Sequence, residues 1–158
     1  MKRMALSAVS VLAAVLIAGT GYADPVQKQG ISLEDARKAA AAAAVEAKKN
    51  KWPMAIAVVD DGGHLVYFER IDGTQFGSVD IAIGKARTAA AFKRPTKALE
   101  DALNAGQPAI LSFPNTLPRD GGLPILYDGK VIGGIGVSGG KSSEDAQVAK
   151  AGTDALMK

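Results

Sequence analysis

Met54-Ala55-Ile56-Ala57-Val58-Val59-Asp60-Asp61-Gly62-Gly63-His64-Leu65-Val66-Tyr67-Phe68-Glu69-Arg70 is the stretch that decides the architecture. Its first seven residues are almost continuously apolar and rich in β-branched side chains, which is how a strand covered on both faces reads. Asp61-Gly62-Gly63 supplies the chemistry of a tight hairpin turn. His64–Arg70 then returns as a second strand, antiparallel to the first.

Outward toward the C-terminus, a loop containing Asp72-Gly73 precedes a helix that starts at Ser78. Val79, Ala82, Ile83, Ala86, Ala89 and Ala90 make one buried stripe on it, with Lys85 and Arg87 off the centre of that stripe. Pro95 breaks the chain, and Thr96–Ala105 forms a further short helix. Residues 106–122 carry Pro108, Pro114, Pro118, Gly106, Gly121 and Gly122, a long connection of the kind that is functional or disordered. A short strand fits within it at Ala109–Phe113. Pro124–Tyr127, the Asp128-Gly129 turn and Lys130–Val137 make a second hairpin. Ser138-Gly139-Gly140 leads into a last helix, about Ser143–Met157, with Asp145 placed to help cap it.

Outward toward the N-terminus, Pro53 closes an alanine-rich helix running from Leu33 to about Lys49. Ser32 is its N-cap, and Glu34 and Asp35 put negative charge in its first turn. Residues 24–30 are a short polar tail. Two hairpins separated by helices do not give the parallel alternation of a Rossmann domain. The expectation is an α/β (α+β) sandwich with a mainly antiparallel sheet of about five strands flanked by helices. The two halves also echo one another as strand, Asp-Gly turn, strand, loop, helix.

The first residues have the design of a secretory signal. Lys2 and Arg3 precede an apolar run from Ala5 to Ala18, and Gly21-Tyr22-Ala23 offers small side chains where a signal peptidase cuts. The run is shorter than the roughly 20 apolar residues that span a bilayer. Residues 1–23 are therefore expected to be removed. This leaves residues 31–158 as a single domain that works in the periplasm or outside the cell, with no membrane span. Loss of Lys2 and Arg3 takes the net charge from +3 to about +1, which argues against a nucleic-acid partner. The chain has no cysteine, so thiol redox chemistry, cysteine nucleophiles and cysteine zinc sites are excluded. Packing, helped by self-association, must replace disulfides.

Gly136-Val137-Ser138-Gly139-Gly140 spells the G-x-S-x-G nucleophile elbow between a strand and a helix. The only histidine, His64, precedes that serine, against the chain order of α/β-hydrolases, and the chain is too short for their fold. Gly140-Lys141-Ser142 resembles the end of a phosphate loop, but Ile135 stands where the pattern needs glycine. Backbone N–H groups of residues 138–143 at a helix start remain a candidate cradle for a carboxylate or phosphate. Simple capping by Ser142 or Ser143 is the alternative. Asp60, Asp61, Glu69, Asp72 and Asp80 would supply an oxygen metal site if they clustered, although turn and cap roles explain them equally well. Arg70 and Asp72 either pair with each other or face a ligand.

Several spaced blocks together resemble one known family. They are Val58-Val59-Asp60-Asp61-Gly62-Gly63-His64-Leu65, Glu69-Arg70-Ile71-Asp72-Gly73 and Ile81-Ala82-Ile83-Gly84-Lys85-Ala86-Arg87-Thr88-Ala89 in the first half. The second half adds Gly121-Gly122-Leu123-Pro124-Ile125, Val131–Gly140, Glu144-Asp145 and Val148-Ala149-Lys150-Ala151-Gly152. In this order, over residues 31–157, they resemble the GlcG/HbpS-like, haem-degrading-domain family, which is related to the PduO C-terminal domain. The resemblance implies a profilin-like sandwich and a compact homo-oligomer, often an octamer. For an exported chain the resemblance implies an extracellular haem-binding, redox-sensing protein that works with a two-component sensor kinase. Haem breakdown is the activity that gave the family its name. Other members sit in glycolate or diol metabolism.

Haem requires an apolar face, cations for its propionates and an axial donor. His64 or a tyrosine is the available donor to iron, and Arg70, Lys85, Arg87 and Lys141 are the available cations. The candidate haem-binding residues are thus His64, Tyr67, Arg70, Lys85 and Thr88, with His64 on the iron. The candidate contacts for a small carboxylate or phosphate are Asp72, Gly121, Gly122, Ser138, Gly139, Gly140, Lys141 and Ser142. Met54, Met157 and Tyr127 also carry donor atoms, and apolar packing suits each of them better.

Overall fold

The computed structural model describes residues 23–157. The expected export signal lies outside the described residues except for its last member, Ala23. Helix α1 (Leu33–Lys49) is followed by strands β1 (Ala55–Asp60) and β2 (Leu65–Arg70), then helices α2 (Ser78–Phe92) and α3 (Lys97–Asn104). Strands β3 (Gly122–Tyr127) and β4 (Lys130–Ser138) and helix α4 (Ser142–Asp154) complete the domain. The strands form one sheet in the order β2-β1-β4-β3, and every pairing is antiparallel. No helix of the described residues is long and apolar enough to cross a membrane.

The sheet has four strands where about five were expected. Ala109–Phe113 is not a strand: Pro108–Ser112 forms a turn of 3-10 helix with its proline at the start. A proline at that position is preset for a helical turn and has no N–H to give a sheet ladder. The ring of Phe113 stacks on Phe92 of α2, centroids 5.8 Å apart, instead of pointing from a strand.

Side-chain size along the two central strands sets the layers. On one face Ile56 and Val58 of β1 and Ile135 and Val137 of β4 meet the alanine stripe of α1 together with Val148 and Ala149 of α4. On the other face β1 presents only Ala55, Ala57 and Val59, which meet Ala82, Ala86 and Ala90 of α2. Gly134 and Gly136 of β4 face the same helix. A methyl at Gly134 would lie 2.5 Å from the Ala86 carbonyl, and one at Gly136 would run into the Ala82 carbonyl. Helix α2 therefore lies directly on the backbone of β4, and only glycine permits that approach. The echo between the two halves stops at the helices, since α2 and α4 follow equivalent hairpins yet cover opposite faces.

The Ser32 hydroxyl accepts from Asp35 N at 3.0 Å and caps α1 as expected. Lys85 departs from expectation. It lies inside the buried surface of α2 and is 1% exposed, while Arg87 is exposed. A lysine tolerates that position because Asp145 of α4 reaches in to meet it, a partner that periodicity within one helix does not reveal.

Candidate functional site

The register divides the candidate residues between two ends of the sheet. Arg70 and Ser138 both pair with Ala55, so the end of β2, the start of β1 and the end of β4 share one edge. His64 lies six residues before Arg70, at the turn between β1 and β2. The structure does not bring His64 together with Arg70, nor with the Ser138-Gly139-Gly140 bend. A serine–histidine dyad is thereby ruled out, because Ser138 is buried at the far end of the sheet from the only histidine.

At the His64 end, Asp60 organises the turn. Its Oδ1 accepts from Gly62 N at 2.9 Å and from His64 N at 2.8 Å, and its Oδ2 lies 3.3 Å from His64 Nδ1. Burial works against the charged Asp60 carboxylate. The hydrogen bonds from His64 and Gly62 outweigh it and hold the group below the usual carboxylate range. With its proton on Nδ1, the imidazole donates to Asp60 and keeps the Nε2 lone pair free. This is the orientation a carboxylate imposes on a metal-ligating histidine. The His64 side chain is 83% exposed.

Arg87 joins this end from α2, its Nε donating to Gly63 O at 3.0 Å. His64, Gly63 and Arg87, with Ala91, Pro114 and Asn115, line an open cleft of about 400 Å³. Its apolar residues, Ala91 and Pro114, are chain neighbours of Phe92 and Phe113, whose rings stack on each other. Sequence reasoning named Arg87 as one cation among four and missed Asp60 as the orienting group. It also missed Pro114 and Asn115, which reach the cleft from the long connection, and no signal in the linear chain placed that connection beside the first hairpin.

At the opposite end the other candidates are largely occupied. The Lys85 ammonium donates to Asp145 Oδ2 at 2.6 Å and to Val137 O at 2.9 Å, and the Asp145 side chain is only 4% exposed. Burial pulls the Lys85 ammonium below its ordinary range and pushes the Asp145 carboxyl above its own, with their pairing opposing both shifts. Asp145 Oδ1 also accepts from Gly140 N at 3.0 Å, and Glu144 Oε2 accepts from Lys141 N at 2.8 Å. Carboxylates of α4 thus already take up two of the N–H groups offered to an anion, and α4 begins after Lys141 with no side-chain cap from either serine.

Gly121 and Gly122 are buried and serve close packing. A methyl at Gly121 would fall 2.6 Å from Asp145 Cβ and 2.9 Å from both Lys85 Nζ and Val137 O. Ser142 Oγ donates to Glu100 at 3.3 Å. Thr88 is buried, donating to Gly84 O and accepting from Leu117 N at 2.9 Å. Tyr67 leans on the core beneath α1. Arg70 and Asp72 are both exposed, and no ion pair joins them among the described residues. No group of three or more aspartate, glutamate or histidine residues converges on a metal-sized space among the described residues.

Comparison with known proteins places this geometry in context. The profile of the family described as haem degrading protein HbpS-like matches residues 31–154. Protein GlcG of Escherichia coli K12 is 44% identical over 98 residues, covering 62% of this chain and 73% of GlcG. The crystal structure of a double mutant of Streptomyces reticuli HbpS superposes with a TM-score of 0.79 at 36% identity, covering 87% of this chain and all of the other. A PduOC–haem complex superposes with a TM-score of 0.73 at 28% identity, covering 80% of this chain and 94% of the other.

Proposed function

The chain belongs to the HbpS-like family of haem-degrading proteins, and from that premise we propose that it is an exported, self-associating haem-binding protein. One observation carries the reading: the only histidine stands in an open cleft with Asp60 on its Nδ1 and its Nε2 unclaimed among the described residues. The similar PduOC structure, a haem complex, supports the choice of ligand.

The residues of the cleft fit what haem requires. His64 would hold the iron through Nε2, and Asp60 would fix the ring and raise its basicity as a donor. Arg87 spends Nε on Gly63 O, which leaves its terminal nitrogens for a propionate. Ala91 and Pro114 offer an apolar wall on one side only. A second copy of the chain would cover the other face, which is why self-association belongs to the proposal. Bound haem would supply redox chemistry for sensing or for its own oxidative breakdown. The chain contributes orientation and charge, and the second copy would exclude water from the open side. Export rests on the signal-like residues 1–23, and a membrane sensor kinase is the partner such a role would call for.

Haemin titration of the purified protein tests the reading. A saturable Soret band that weakens strongly in His64→Ala is expected. Absence of a saturable band sinks the haem proposal, and an unchanged band in His64→Ala removes the assigned ligand. Native mass spectrometry is expected to show a multimer, and a monomer at micromolar concentration would remove the shared site. N-terminal sequencing of exported material is expected to begin at Asp24.

A further inference from the structure

A second, chemically different groove lies at the end of the sheet away from His64. Lys48, Lys51, Trp52, Pro53, Ile71 and Asp72 line it, and it is a shallow, open groove of about 370 Å³. That is the lower part of the range of roughly 300–1,000 Å³ that small-molecule sites occupy. Trp52 is the only tryptophan of the chain, half-buried and held against the core, so its indole is a fixed apolar plate. Lys48 leans toward Glu69 at 3.6 Å. Lys51 and Asp72 both line the groove and enter no ion pair among the described residues.

Lys51 is the informative residue. Lys51 N donates to Lys48 O and Trp52 N to Ala47 O, the paired bonds that close a helix over a left-handed residue. That residue is usually glycine, and Lys51 sits there at φ 60 with a Cβ that the conformation disfavours. Dipole compensation does not require it, because Lys48 and Lys49 already occupy the last turn. Lys93 closes α2 in the same conformation. What distinguishes Lys51 is the indole, the second lysine and the aspartate grouped around it. A strained side chain beside a formed groove is the pattern of a position held for binding at the expense of stability.

We propose that this groove binds a small hydroxylated carboxylate with a flat apolar body. The carboxylate would rest on the Lys51 and Lys48 ammonium groups, the body against Trp52 and Pro53, and the hydroxyl would donate to Asp72. The site is independent of the haem cleft, so neither reading stands or falls with the other.

Trp52 makes the test direct. Mandelate titrated into the full chain should change its tryptophan fluorescence saturably, and the neutral mandelamide should bind at least about fivefold more weakly. Lys51→Gly should leave the melting temperature unchanged or raise it by roughly 2 °C. The same variant should weaken mandelate binding by about fivefold. Asp72→Asn should lose the preference for mandelate over phenylacetate, which lacks the hydroxyl. A linear, unsaturable response, equal binding of mandelate and mandelamide, or full affinity in Lys51→Gly overturns the site. A lower melting temperature in Lys51→Gly overturns the strain argument.

Discussion

Replacing Lys85 by methionine would strand the Asp145 carboxylate in the interior. The methionine side chain fills much of the volume of the lysine stem, so little cavity is created and the change reports mainly on charge. Two bonds are lost, at 2.6 Å to Asp145 and 2.9 Å to Val137 O. Removing one partner of a buried pair costs about 3–5 kcal/mol, and the orphaned carbonyl adds to it, so we expect about 4 kcal/mol at pH 7.5. That approaches the whole stability of a small domain, and urea unfolding followed by circular dichroism reads it as a large drop in midpoint. The double variant Lys85→Met/Asp145→Asn removes the stranded charge and keeps an oxygen for Gly140 N. It should recover about 2–3 kcal/mol of the loss. Acid should help the single variant. Burial already raises the Asp145 carboxyl, and without Lys85 it rises further. A raised folded value means that protons favour the folded state, so the deficit should be smaller at pH 4.5 than at 7.5. A single-variant cost below about 1 kcal/mol would show that the pair does not hold this end of the sheet. A double variant no better than the single would show the same.

Gly136→Ala pushes a methyl into the Ala82 carbonyl and the backbone of Ala86. Helix α2 must lift from β4, and urea unfolding should record a loss of about 2–3 kcal/mol. Asp60→Ala deprives Gly62 N and His64 N of their acceptor, costing about 1–2 kcal/mol at neutral pH. Because the folded Asp60 carboxyl lies below its ordinary value of 3.8, its contribution is present above that pH and is lost as pH falls through the folded value. The gap between Asp60→Ala and the parent protein should therefore close in acid. Haemin should also bind Asp60→Ala more weakly, since nothing then fixes His64 Nδ1.

The fold was legible where one element carries its own signal. Periodicity and capping placed α1, α2 and both hairpins within a residue or two, because alternation, Asp-Gly turns and the Ser32 cap are all local. The failures have different causes. Ala109–Phe113 has an apolar composition that suits a strand, but the adjacent Pro108 favours a 3-10 turn and Phe113 stacks on Phe92 of α2. Lys85 reads as a solvated cation on its own helix, and only Asp145, sixty residues later, makes its burial tolerable. The first carried a local signal, whereas the second was decided by a partner distant in sequence.

The same distinction governs the candidate sites. Gly121 and Gly122 read from sequence as ligand contacts, yet at both the space a methyl would fill already belongs to the protein. Glycine there admits α2 and the Lys85 ammonium. Two clefts with groups suited to a guest lie elsewhere. One holds His64, and the other holds Lys51 and Asp72 beside Trp52. In both, a feature useless or costly to the isolated chain is kept beside an accessible space. At Lys51 the cost is backbone strain that a glycine would abolish. At His64 it is an exposed ring whose one hydrogen bond serves to orient it. Stability and binding should therefore separate under mutation: His64→Ala and Lys51→Gly should lose ligands without losing the fold, while Gly136→Ala should damage the fold first.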